Sequence, residues 1–281
     1  MVRFEYNGHK LYIHDKLAKV IQIFAKKRKM NNDNLLIISG NTGTGKSNLA
    51  ALCCAYYSYL TGITYDNSRV FFKSEEFIKD AITSYDRIFH YDESLFSAMA
   101  MDWQTKEQKE LIKMLLLCRK KRHFYVFCIP DYFKLKDTIK EEKCDGLIWT
   151  RLFKNKPGFF EYYRKKKRVA LLNYYGRNKK KAWFKFRSFK GTFAKNLPRI
   201  LDEERYDADK DKAIASLLDK PKNDKLSKTE LKLLKLQKQM GCLPTKLNIK
   251  QKDLAKVIGT TPKTLIQWRD YDKVNGINLT S

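Results

Sequence analysis

Three glycines, a lysine and a hydroxyl residue stand at G-x-x-x-x-G-K-S spacing in Gly40-Asn41-Thr42-Gly43-Thr44-Gly45-Lys46-Ser47. That spacing suits phosphate chemistry. Glycines let the backbone curl so that successive N–H groups face phosphate oxygens, and a following helix N-terminus adds partial positive charge. Lys46 would then reach the β- and γ-phosphates, and the Ser47 hydroxyl would ligate Mg²⁺. Asn48 opens the helix and completes the expected nucleotide contacts, residues 40–48. The apolar run Leu35–Ile38 before the loop and the Ala/Leu-rich stretch after it supply the strand–loop–helix setting the motif requires.

Hydrolysis needs acids at a neighbouring strand end. Arg87-Ile88-Phe89-His90-Tyr91-Asp92-Glu93-Ser94 reads as a short strand closing on two adjacent carboxylates. Asp92 is expected to hold Mg²⁺, and Glu93 to orient the attacking water. Lys46, Asp92 and Glu93 are thus the expected catalytic set. A carboxylate pair favours ATP over GTP, and no Asn-Lys-x-Asp for reading guanine is present: Asn178-Lys179-Lys180-Lys181 lacks the acid. Arg119, Arg122 and Arg151 are candidates for an arginine reaching a neighbouring subunit's phosphates. Asp131, after the apolar run Phe124–Ile129 and Pro130, is a weak candidate for a phosphate-sensing polar residue.

Positioning these groups calls for an α/β fold, a parallel sheet flanked by helices. Val2–Tyr6 and His9–Ile13 flank Asn7-Gly8, a hairpin signal. A helix is expected from Asp15 to about Lys29, with Leu17, Val20, Ile21 and Phe24 on one face. Further strands are expected at Val70–Lys73, Phe124–Pro130 and Gly146–Trp149, alternating with helices as in βαβ units. One of these helices is Leu111–Arg122, its basic end complementing the helix dipole. Residues 153–190 read as an inserted basic β-ribbon, with Arg164, Lys165, Lys166, Lys167 and Arg168 in a turn where they would bind DNA phosphates. The interleaved aromatics, Tyr162, Tyr163 and Trp183 among them, are expected to fill the sheet face rather than stack on bases. Asp202–Leu218 reads as a helix that closes the first domain, residues 1–219 with a core at about 35–155.

Lysine and arginine number 58 against 31 acidic residues, a formal charge of +27. Such an excess points to a polyanionic partner, DNA first and duplex before single strands. No stretch approaches the roughly twenty apolar residues of a membrane span. The N-terminus lacks the form of a secretion signal, and six cysteines without a C-x-x-C read as buried thiols. A cytoplasmic protein without integral membrane association is expected.

After a linker at 220–225, residues 226–281 read as a small all-α domain. Ser227 and Glu230 have capping-box spacing for a helix Lys228–Met240. Gln251–Ile258, the turn Gly259-Thr260-Thr261 and Pro262–Trp268 have the layout of a helix-turn-helix. Lys263, Thr264, Gln267 and Arg269 would face the major groove or its phosphates.

Together, the phosphate loop, the Asp92-Glu93 strand end and the basic segment Arg119–Arg122 resemble the FtsK–HerA group of P-loop ATPases. Small virion-packaging and zonula-occludens-toxin-like ATPases of plasmids and viruses are the nearest in kind. The resemblance covers residues 35–155 and implies a homo-oligomer, a hexameric ring that threads or pumps DNA using ATP and Mg²⁺. It assigns Lys46, Ser47, Asp92 and Glu93 to the nucleotide site. The expected function is a DNA-dependent ATPase motor that translocates or packages DNA for a mobile element or virus. The alternatives are an ATP-switched DNA-binding adaptor and an AAA+-like helicase or helicase loader.

Overall fold

The computed structural model describes residues 1–92, 106–154, 156–194, 196–218, 236, 239–240, 243–244 and 250–269. They fall into two units, Met1–Asp219 and Lys220–Ser281.

Unit one is built on a seven-stranded sheet. Its strands are β3 (Asn34–Gly40), β4 (Val70–Phe71), β5 (Ile88–Asp92), β6 (Phe124–Ile129), β7 (Cys144–Phe153), β8 (Lys156–Tyr163) and β9 (Phe189–Thr192), in the order β4-β5-β6-β3-β7-β8-β9. The first five in that order run parallel, while β8 and β9 add an antiparallel wing. A separate hairpin, β1 (Val2–Tyr6) and β2 (His9–Ile13), turns at Asn7-Gly8.

Every residue of β3 is buried, which explains its unbroken apolar run: both faces of a parallel sheet are covered. Leu36 and Ile38 enter one core cluster with α1 (Asp15–Arg28) and α2 (Lys46–Thr61). Leu35 and Ile37 enter the other, with α3 (Ser74–Thr83) and α4 (Lys106–Leu117). This is the period-two alternation of a strand. The face expected for α1, Leu17, Val20, Ile21 and Phe24, is buried.

Two differences from the sequence reading concern basic segments. The helix expected to run to Arg122 ends at Leu117, and Arg119–Lys121 forms a separate 3₁₀ turn. The basic β-ribbon is half wrong. Residues 156–163 and 189–192 are strands, but between them the chain forms α5 (Lys165–Asn178) and the short α6 (Trp183–Phe186). Arg168 and Leu171 are buried, with Leu172 and Tyr175 packed beside the second core. Spacing of 168, 171, 172 and 175 is helical, so burying that stripe overrides the ribbon-like aromatics. The aromatics fill the core as expected: Tyr162, Tyr163 and Trp183 are buried, and Trp149 stacks on Trp183 at 5.0 Å.

The unit closes with α7 (Leu197–Ile200) and α8 (Glu203–Leu218), whose Tyr206 and Ala213 join the first core. No helix among the described residues is long and apolar enough to cross a membrane. Five cysteines are free and buried; Cys242 lies outside the described residues.

In unit two, α9 (Gln251–Val257) and α10 (Pro262–Arg269) are joined through Gly259 at φ 68°. The Thr261 hydroxyl accepts the Thr264 N–H at 3.2 Å, an N-cap, and Ala255 and Leu265 are buried. The expected linker 220–225 and most of the expected helix 228–240 lie outside the described residues.

Candidate nucleotide site

Strand β6 lies between β3, which leads into the glycine-rich loop, and β5, which ends at Asp92. Loop and carboxylate therefore meet at the C-terminal edge of the sheet, where parallel α/β folds place ligands. Ser39 anchors the loop's first arm: its hydroxyl accepts the Tyr132 N–H at 3.1 Å and donates to the Pro130 carbonyl at 3.4 Å. Thr44 braces the other side. Its hydroxyl donates to the Asn41 carbonyl at 2.8 Å and lies 2.8 Å from the Thr150 hydroxyl on β7.

Glycine is required at two points. Gly45, at φ 87°, is the residue before α2, in left-handed backbone that a side chain would strain. A Cβ on Gly40 would run into the carbonyl and hydroxyl oxygens of Thr150. Phe193 and Pro157, from the antiparallel wing, lie beside Gly45.

Lys46 is 7% exposed, and its Nζ donates to the Gly40 and Asn41 carbonyls at 2.9 Å each. Burial lowers its pKa, opposed by Cys128 and Asp92, so the ammonium is held by weak acceptors that a phosphate would outbid. The Ser47 hydroxyl donates to Asp92 Oδ2 at 2.5 Å, and the Tyr206 hydroxyl donates to the same oxygen at 2.5 Å. Asp92 is fully buried. Burial pushes its carboxyl up, but His90, the two hydroxyls and the Lys210 charge outweigh it and hold the group below the usual aspartate range. His90 is held at about 4 by burial, against the pull of Asp92, with Tyr65 at 2.9 Å from its Nδ1 and Cys128 at 3.6 Å from its Nε2.

A hydroxyl and a carboxylate side by side at a helix start are hard oxygen donors, as Mg²⁺ takes. The glycine-rich loop, with Gly43 and Gly45 in left-handed backbone ahead of the α2 N-terminus, suits a triphosphate. His90, Asp92 and Cys128 also bring one donor atom each within 4.8 Å of one another. All three are fully buried.

Glu93 lies outside the described residues. The arginines divide. Arg119 and Arg122 sit at the opposite edge of the sheet, where the Arg119 carbonyl accepts the Asp33 N–H ahead of β3 and Arg122 pairs with Asp86 at 3.5 Å. Neither can reach its own chain's loop. Arg151 follows Thr150 at the loop's edge but is paired with buried Glu161 at 3.4 Å, which Arg187 also holds at 3.0 Å. Asp131 caps the following turn through the Phe133 N–H and pairs with Lys181 at 2.7 Å, which accounts for its carboxylate. Of the expected phosphate-contacting cations, Arg164 and Lys165–Lys167 are exposed, but Arg168 is not. It is fully buried, so its place among DNA contacts is corrected: position 168 belongs to the inward stripe of α5. In α10, Lys263 and Gln267 are exposed, while Thr264 and Arg269 are half-buried.

Tyr206 and Lys210 were missed from sequence. Tyr206 lies 114 positions from Asp92 in a helix rich in charge, and no local spacing links them.

A parallel sheet with a glycine-rich loop, a following helix and a strand-end aspartate defines a P-loop NTPase. Residues 22–176, more than half of the chain, match the family model for novel STAND NTPase 3. The chain belongs to that family, which supports nucleotide hydrolysis in general. No curated protein matches it.

Proposed function

We propose that this NTPase hydrolyses ATP with Mg²⁺ and couples the reaction to DNA, as a motor that translocates or packages DNA for a mobile element or virus. The observation that carries the reading is the shared Asp92 oxygen: Ser47 and Asp92 meet at 2.5 Å at the start of the loop's helix. Lys46 would leave the loop carbonyls to hold the β- and γ-phosphates, and Ser47 and Asp92 would hold Mg²⁺, Asp92 through water. The bound cation supplies neutralising charge to the phosphates. Glu93 is assigned to orient the attacking water. An arginine from a neighbouring copy, Arg119 or Arg122, would complete the site in an FtsK–HerA-like ring working in the cytoplasm.

DNA is the partner that the +27 charge supports. Lys263, Thr264, Gln267 and Arg269 in a helix-turn-helix, with Arg164 and Lys165–Lys167, are the proposed contacts. The test is ATP turnover without DNA, with single strands and with duplexes of increasing length, using Lys46→Ala and Glu93→Gln as controls. Turnover that rises with duplex length and is lost in both variants supports the motor. Length-independent turnover sinks it.

One observation favours a second reading, an ATP-controlled DNA-binding switch. Tyr206 holds the same Asp92 oxygen that metal binding engages, and it belongs to α8, whose end at Leu218 adjoins the boundary between the units. Slow turnover with nucleotide-dependent DNA affinity would select it.

A further inference from the structure

A groove of about 800 Å³ runs between α1 and the junction of β8 with α5, away from the phosphate loop. Lys16 and Lys19 on α1, Arg164 and Lys165–Lys167 at the start of α5, and Arg187 before β9 line it. Among the described residues its one acidic lining residue, Asp145, is engaged by Lys27 at 2.7 Å. Buried Val20, Phe24, Tyr162 and Phe189 give it an apolar floor, and Ile23, 53% exposed, stands at the rim.

The placement of these cations is costly. Lysines 165–167 occupy the first turn of α5, the positive end of the helix dipole, with no acidic residue there to offset them. Cations at that end destabilise a helix, and the α1 lysines face them across the groove. An anion in the groove removes both costs and meets the free N–H groups of the first helical turn. A string of phosphates matches a row of cations along a groove, and an apolar floor suits sugars and base faces.

We propose that this groove holds the phosphodiester backbone of a nucleic-acid strand. The inference rests on the nucleic-acid part of the function proposed above. It places the contact on α1 as well as α5, and independently of α9 and α10.

The test is fluorescence anisotropy of the full chain with a labelled oligonucleotide, single-stranded and duplex, over a salt series. Lys19→Glu/Lys166→Glu is compared with Lys79→Glu/Lys120→Glu, which makes the same charge change on exposed sites outside the groove. Circular dichroism and nucleotide binding confirm that both variants fold. The groove variant is expected to bind at least tenfold more weakly, with a salt slope reduced by about two, and the control to change far less. Equal weakening in both variants, or wild-type affinity in the groove variant, overturns the groove. Loss of binding to phosphatidylserine vesicles with oligonucleotide affinity unchanged overturns it in favour of a membrane surface. A wild-type chain that binds no oligonucleotide at low salt removes the DNA reading itself, and the groove with it.

Discussion

Tyr206 donates its hydroxyl to Asp92, the carboxylate proposed to hold the metal. A buried carboxylate with one donor fewer is less well compensated and gains more from a cation. Tyr206→Phe is therefore expected to lower the Mg²⁺ concentration for half-maximal hydrolysis by about fivefold, the equivalent of one hydrogen bond near 1 kcal/mol. An unchanged Mg²⁺ titration would discard this role. A second residue sets a pH dependence. Desolvation, with Asp145 nearby and Lys143 opposing, raises Asp33 to about 6. A carboxyl whose folded pKa lies above its unfolded value binds more protons when folded, so its cost to stability is absent below about pH 4 and complete above about pH 6. Because Asp33 is only partly buried, Asp33→Asn should raise stability at pH 7.5 by about 1 kcal/mol, with the gain gone by pH 4 in urea melts. A pH-independent gain would assign it to another cause.

The elements that carry the site differ in how far the sequence exposes them. Strand β3, the loop and α2 form one local run in which every signal agrees, and the strand ending at Asp92 is nearly as plain. What lies across the sheet is not legible: Thr150 braces the loop from β7, and its partners Gly40 and Thr44 are more than a hundred positions away. Helix α5 was misread for another reason. Its aromatics and Gly176-Arg177-Asn178 resemble ribbon and turn, while the stripe through Arg168 begins with a cation that normally marks an outer face. Close contact between β3 and β7 makes a test. Gly40→Ala sets a methyl against the Thr150 backbone, and rigid neighbouring strands cannot yield cheaply. It should cost about 2 kcal/mol in denaturant unfolding and weaken nucleotide binding together. Wild-type values for both would mean the loop can shift away from β7.

At the scale of the molecule, the question is whether hydrolysis needs unit two. Both core clusters draw their residues from positions 4–213, so unit one holds its own hydrophobic interior. The loop, Asp92, Tyr206 and Lys210 all fall within Met1–Asp219. Compact units with their own cores fold alone. Residues 1–219 are therefore expected to melt cooperatively and keep DNA-independent hydrolysis within about twofold of the full chain, the span a peripheral deletion leaves. If the tail reads sequence, the same truncation removes preference among DNA sites but leaves salt-sensitive, non-specific binding through the first unit's cations. Preference retained by residues 1–219 would take sequence reading away from α9 and α10. Hydrolysis raised well above the full chain would instead make unit two a brake, consistent with a switch whose latch is the Tyr206 hydrogen bond.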